Sequence, residues 1–384
     1  MLTSPVWWSC DEPSSDRWLI EVAKWFGARR AIGDDPLIML VASSGGHLSH
    51  LLELKDFWGA HRRVWVSFDV PDVTSRLVDE EVTWAYRPTT RNLRNLVRNL
   101  GLAWSELRRL RPDLIVSTGA GVAVPFFWLG RLLGARTAYL EVYDRIDSAT
   151  VTGRLVRRFT DAMWVQWPEQ ASLYPNAKVM GTIWPDSLDD AVVPANEVDE
   201  CAGEVGAPGT VSSASGAPLI VVTVGTDFHS FDRLVAWAAR WADDHATDAR
   251  MVIQLGTARD PGGAAKRIDG ALGSAELLAL INEADAVVCG AGPGTVIDAL
   301  RAGVRPVVVP RRGGLDEAVD DHQVAFAALL SERSMVRTAT SEAELHAHLD
   351  QLLAQPGLFA VPPLTSGISP GAANLSRALE AMLT

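Results

Sequence analysis

At 384 residues the chain exceeds what one hydrophobic core usually supports, so two domains are expected. Its 48% hydrophobic and 21% charged content fits a globular protein, and three scattered cysteines, Cys10, Cys201 and Cys289, argue against a disulfide framework and for a reducing cytoplasm. The net charge of −12 argues against nucleic acid as a partner, but it is uneven: residues 1–186 carry about +1 and residues 187–384 about −13, so only the first half suits an anionic membrane.

The N-terminus shows no basic start, apolar core and cleavage site of a signal peptide. Residues 14–30 place Trp18, Leu19, Val22, Trp25 and Phe26 on one side of a helix with Arg17, Lys24, Arg29 and Arg30 nearby. Two readings stand for that helix, membrane interface or packing on its own domain. Leu37–Ala42 is then a buried strand, Ser43 to Gly46 a turn, and His47 the start of a helix. Ser44, Gly45 and Gly46 thus lie at the carboxyl end of a strand, where open α/β sheets bind ligands. His47 suits proton transfer, a phosphate contact or a simple cap; His50 reads as a surface residue.

Residues 61–70 and 81–88 supply two more strands, and residues 91–113 a long amphipathic helix. On it Leu93, Leu96, Val97, Leu100, Trp104 and Leu107 keep helical spacing, and Arg91, Arg94 and Arg98 form an adjoining stripe. That stripe fits either a solvated face or contact with anionic headgroups or a diphosphate. The longest uncharged run, Leu114 to Gly130, is broken by Ser117, Thr118, glycines and Pro125. It reads as strand, glycine turn at Gly119 and Gly121, and helix, and no transmembrane helix is expected. Glu141, Asp144, Arg145 and Asp147 follow the next strand, where they fit either a general base opposite the His47 loop or a structural ion-pair cluster.

Residues 186–217, acidic and then rich in Gly, Ala, Ser and Pro, read as an interdomain linker. The second domain opens with the strand Leu219–Val224, which runs into Gly225 and Thr226, with Asp227, His229 and Asp232 following. Its organising stretch is 285–310: a strand Ala286–Cys289, a turn containing Gly290, Gly292 and Gly294, a helix starting near Thr295, and a strand Pro306–Pro310. Such a turn serves either tight packing or an anion at the helix N-terminus, and Asp298, one helical turn in, could accept from a ribose diol. A helix from about Asp320 carries His322 and Gln323 in its first turns, suited to a sugar's hydroxyls. A helix over 341–353 follows, and a last helix, Ala372 to Leu383, is expected to cross back onto the first domain. No metal-ligand spacing is visible.

Taken in this order, the motifs SSGGH (43–47), STGAG (117–121), YLEVYDR (139–145), QWPEQASLYP (166–175), VTVGT (222–226), GAGPGTVIDAL (290–300) and DDHQ (320–323) resemble the GT-B glycosyltransferases of the family 28 type. The first half resembles the membrane-recruiting subunit, and the second the catalytic subunit, of the dolichol-diphosphate N-acetylglucosamine transferase and of bacterial exopolysaccharide and capsule transferase pairs. The resemblance implies two Rossmann-like α/β domains with parallel sheets facing across a cleft. It divides the chain into an N-terminal amphipathic segment 1–36, an acceptor-binding domain 37–185, the linker 186–217, a donor-binding domain 218–360 and a C-terminal helix 361–384. It also implies an inverting transferase that needs no cofactor, takes a UDP-sugar as substrate, extends a polyprenyl-diphosphate-linked saccharide and sits peripherally on the inner face of the cell membrane.

Carried over by position, Gly225, Thr226, Gly290, Gly292, Gly294, Thr295, Asp298, His322 and Gln323 would hold the donor. Ser44, Gly45, Gly46, Gly119, Gly121 and Arg145 would hold the acceptor diphosphate, with His47 and Glu141 as candidates for the base. Asp298 departs from the glutamate usual at the ribose position, and membrane-recruiting relatives often begin with a transmembrane helix. A UDP-sugar 2-epimerase of the same fold and a non-catalytic membrane scaffold are the rival readings.

Overall fold

The structure, a computed structural model, describes residues 30–89, 92–183, 216–355, 357–364 and 369–384. The expected helix over 14–30, apart from Arg30, and the expected linker, apart from its last two residues, lie outside them.

In the first domain, β1 (Leu37–Val41), β2 (Arg62–Ser67), β3 (Val82–Trp84), β4 (Leu114–Ser117), β5 (Arg136–Leu140), β6 (Ala162–Val165) and β7 (Lys178–Val179) form one sheet in the order β3-β2-β1-β4-β5-β6-β7. In the second, β8 (Leu219–Thr223), β9 (Arg250–Gln254), β10 (Lys266–Ile268), β11 (Ala286–Cys289), β12 (Val307–Val308) and β13 (Arg337–Thr338) take the order β10-β9-β8-β11-β12-β13. Every pairing is parallel. Helices on both faces explain why the central strands are continuous apolar runs: Ile38 to Val41 and Ile220 to Val222 are at most 1% exposed.

Both orders reverse beside the first strand, between β1 and β4 and between β8 and β11. Loops leaving neighbouring strands there turn to opposite faces and open a crevice. Register puts the ends of those strands level, Val41 beside Ser117 and Thr223 beside Cys289. Four of the glycine turns read from the sequence, after β1, β4, β8 and β11, are therefore the walls of the two crevices.

The two domains share an apolar contact. Leu48 and Leu51, on the helix Gly46–Leu52, join one core with Val296, Ile297 and Leu300 of the helix Pro293–Arg301, and the rings of Tyr143 and Phe326 lie 5.5 Å apart. The last helix, Pro370–Glu380, begins two residues earlier than the sequence suggests, because Ser369 caps it by accepting from Ala372 N at 3.0 Å. It lies on the first domain: Ser369 Oγ donates to Thr182 O (3.1 Å) and Asn374 Nδ2 to Met180 O (3.1 Å).

The long helix, Leu93–Leu110, turns a different side inward from the one its pattern suggests. Asn95, Asn99, Ala103 and Leu107 are buried, while Leu93, Val97 and Trp104 are 73%, 61% and 46% exposed. Asn99 explains this, since its carboxamide accepts from Tyr86 N and donates to Tyr86 O, both at 2.9 Å, and so docks the helix by polar bonds. Of the apolar stripe, Leu93, Val97 and Trp104 are left facing out.

Candidate functional site

On the second-domain side, the site begins where β8 ends. Thr223 Oγ1 donates to Gln254 Oε1 at 2.7 Å, and Gln254 Oε1 also accepts from Val224 N at 3.2 Å, so the chain is held up to Gly225. After β11, Gly292 is the extended N-cap of Pro293–Arg301, with Pro293 supplying the fixed φ of a first helical residue. The helix thus starts two residues before the expected Thr295. Nothing stands within 4 Å of where a Gly292 side chain would project, so there is open space beside the start of this helix, whose first N–H groups have no intrahelical partner.

Gln323, 8% exposed, ties this loop from below: its Oε1 accepts from Ala291 N (3.1 Å) and Arg311 N (3.2 Å). Arg311, which no sequence pattern marks, is 2% exposed and donates to Val224 O (2.7 Å), His229 O (2.9 Å) and Glu317 O (2.8 Å). Its guanidinium lies 4.5 Å from the Phe231 ring centre, and its burial lowers its pKa. It sets the shape of the loop after Gly225.

On the first-domain side, Gly45 takes φ 72°, and its N–H donates to Asp72 Oδ2 at 2.8 Å. His47 is fixed by the loop after β4: its Nδ1 lies 2.9 Å from Thr118 O, and Thr118 Oγ1 donates to His47 O at 2.7 Å. A carbonyl only accepts, so Nδ1 carries the hydrogen and Nε2 keeps a free lone pair. Burial is the largest influence on His47 and lowers its pKa; Asp144 and the Thr118 carbonyl oppose it, while Arg145 and His322 add to it.

Gly119 makes that placement possible. At φ 122°, a β-carbon there would stand 2.9 Å from His47 Cε1 and 2.9 Å from Tyr139 Oη. Gly119→Ala is accordingly expected to displace the imidazole and cost 1–3 kcal/mol of stability, on the order of the strain at such positions. Denaturant unfolding and the histidine NMR spectrum check both.

The two sides meet. A β-carbon on Gly45 would stand 3.2 Å from Thr226 Oγ1, one on Gly46 3.0 Å from Pro293 Cγ, and one on Gly294 3.2 Å from Ser49 Oγ. Farther round, Arg145 Nη1 donates to Asp320 Oδ2 at 2.6 Å, His322 Nδ1 lies 2.6 Å from Asp320 Oδ1, and His322 Nε2 faces Asp144 Oδ2 at 4.0 Å. The His322 hydrogen bond, followed by the Arg145 guanidinium, holds the Asp320 carboxyl well below its usual range. Asp298 lies in the same seam. Burial pushes its carboxyl up to about 6, against the charges of Arg76 from the first domain and Arg301, and with those of Asp72 and Glu53.

Three sequence expectations look different in this setting. Glu141 is fully enclosed, and its carboxylate accepts from Thr150 Oγ1 (2.9 Å), Val142 N (3.0 Å) and Tyr174 Oη. Those bonds and its complete burial give it a structural place, with no carboxylate oxygen exposed to the cleft. Gly121 approaches Thr89 rather than the seam, since a β-carbon there would stand 3.0 Å from Thr89 Cβ. His50, expected at the surface, is 2% exposed: the helix turns it inward, edge-on to Tyr143 at 4.2 Å, and burial drives its pKa well down. Asp72 and Arg76 are not singled out by spacing, since each acts on a group far away in the chain.

Comparison with known proteins agrees with this architecture. Residues 219–360 match the glycosyltransferase family 28 C-terminal domain, and residues 75–183 match the Alg14-like oligosaccharide biosynthesis protein. The chain is 28% identical over 184 residues to the UDP-N-acetylglucosamine transferase subunit ALG14 of Eremothecium gossypii, covering 38% of this chain and 79% of that one. It is 27% identical over 335 residues to the UDP-N-acetylglucosamine–N-acetylmuramyl-(pentapeptide) pyrophosphoryl-undecaprenol N-acetylglucosamine transferase of Aromatoleum aromaticum, covering 77% and 82%. The crystal structure of Acinetobacter baumannii MurG superposes with a TM-score of 0.54 at 18% identity, over 90% of this chain and 99% of that one, which bears on the fold. The chain is a glycosyltransferase on a GT-B fold, in which an Alg14-like domain and a family 28 C-terminal domain stand in one polypeptide.

Proposed function

We propose that the chain moves a sugar from a UDP-sugar to a polyprenyl-diphosphate-linked saccharide with inversion, as a step of exopolysaccharide or capsule assembly. The observation that carries this reading is the apposition of the two switch-point loops, His47 on one side and the helix start at Gly292 on the other. The relatives named above act on UDP-N-acetylglucosamine and, in one case, on a pyrophosphoryl-undecaprenol acceptor. In this reading His47 Nε2 takes the proton of the acceptor hydroxyl as its oxygen attacks the anomeric carbon. The departing diphosphate is met by the N–H groups at the start of Pro293–Arg301, and Asp298 accepts from the ribose. Calorimetry with a panel of UDP-sugars, followed by transfer to a lipid-linked acceptor, tests it. Conversion of a UDP-sugar without acceptor would favour an epimerase, and no UDP binding a scaffold.

The outward stripe of Leu93, Val97 and Trp104 supports a membrane-facing first domain. Exposed Arg94, Arg98 and Arg108 flank it, and Val151 and Leu155 are 68% and 46% exposed beside Arg154, Arg157 and Arg158. Among the described residues no helix is long and apolar enough to cross a membrane. Arg94→Glu with Arg98→Glu is expected to reduce co-flotation with anionic vesicles at least about tenfold, near 1 kcal/mol per charge, while UDP affinity is retained.

A further inference from the structure

Asp144 lies on the loop leaving β5, three residues after the enclosed Glu141, but its carboxylate is treated differently. Glu141 has hydrogen-bond donors on both oxygens. Asp144 Oδ1 is enclosed and has no hydrogen-bond partner among the described residues. Arg145, next in the chain, directs its guanidinium across the cleft to Asp320 instead. An enclosed anionic oxygen without a donor is costly, and packing alone gives no reason to keep it. Its other oxygen, Oδ2, faces His322 Nε2 of the second domain at 4.0 Å. Toward the first domain, Asp144 is the largest influence opposing the burial of His47. The remaining charged or titratable groups acting on His47 are Arg145 and His322, both of which disfavour its protonation, and His50, one turn along its own helix.

We propose that Asp144 is the positioning residue of the proton-transfer step: its carboxylate, one oxygen facing His322 of the second domain and the other enclosed without a donor, balances the imidazolium that forms when His47 takes the acceptor hydroxyl's proton. The inference rests on the transfer reading above. In that step the acceptor O–H bond breaks and an N–H bond forms at His47 Nε2. The hydroxyl oxygen's electron pair forms the bond to the anomeric carbon, and the bond from that carbon to the diphosphate breaks, its pair leaving with the diphosphate. The proton passes from His47 to water once the products have gone.

Asp144→Asn keeps the shape and removes the charge. With the full chain, UDP-sugar and lipid-linked acceptor, kcat is expected to fall about 10- to 100-fold while UDP affinity stays within about threefold. The acid limb of the kcat profile should move to lower pH, since His47 loses the carboxylate that raises its pKa, and Asp144→Glu should restore part of the rate. Should the amide not fold, Asp144→Ser repeats the comparison. An acid limb that stays in place, or a kcat within about twofold of the parent, overturns the proposal. Absence of transfer by the parent chain would instead sink the transfer reading. In that event an NMR titration of His47 in the parent and in Asp144→Asn still decides whether the pair exists: a lowered His47 pKa supports it and an unchanged one overturns it.

Discussion

Replacing His47 with alanine is expected to lower kcat by about 10²- to 10⁴-fold while changing UDP affinity no more than about threefold. The Thr118 carbonyl fixes the tautomer with Nε2 free, and Gly119 gives the ring its place. Burial lowers the His47 pKa, so the ring is neutral and able to accept a proton near neutral pH. The sign follows: activity is held above that lowered pKa and lost as pH falls through it. In the His47→Ala chain that acid limb should vanish together with the rate. Equal turnover in parent and variant would remove His47 from the reaction and leave it a helix-opening residue.

The second large effect is expected at Asp298, where stability and binding should move in opposite directions. Its carboxyl is raised from 3.8 to about 6 in the folded chain, mainly by burial. Well below pH 3.8 it is protonated folded and unfolded alike, so it contributes nothing to stability. Above pH 6 the folded chain holds a disfavoured carboxylate, a cost of up to about 3 kcal/mol at 1.36 kcal/mol per pKa unit. Asp298→Asn should therefore resist denaturant better than the parent at pH 8, with the gain fading toward pH 4.5. The same variant should bind UDP about 10- to 100-fold more weakly, because hydrogen bonds to a charged acceptor are worth about 1.5–3 kcal/mol. Calorimetry and urea unfolding on one preparation measure both. A variant that gains stability and still binds UDP as the parent does would take Asp298 out of the donor site. A residue kept at the expense of stability is what a binding role predicts.

Much of the site was legible because its parts are local. A buried parallel strand followed by a glycine turn and a helix is recognisable over about twenty residues, as at Leu37–Leu52 and Ala286–Arg301. The strands β10 and β13, at three and two residues with charged side chains, have too little pattern to register. The side of the long helix that packs was misleading for a different reason. Periodicity reports that Leu93, Val97 and Trp104 share a face, but Asn95 and Asn99, bonded to Pro88 O and to the Tyr86 backbone, decided which face is covered.

Glu141 and Asp144 show the same division at the level of single side chains. Both are acids just past the end of one strand, and nothing in the sequence separates their roles. Tyr174, thirty-three residues on, engages Glu141, and His322, from the other domain, faces Asp144. The sequence by itself determined two parallel α/β domains, the glycine turns at their strand ends and the candidate residues beside them, because these follow from backbone sterics and apolar periodicity over short stretches. Which of those residues share a cleft, which carboxylate is satisfied and which is left open, and which helix face meets solvent were decided only by tertiary structure, because burial and charge pairing depend on partners distant in the chain.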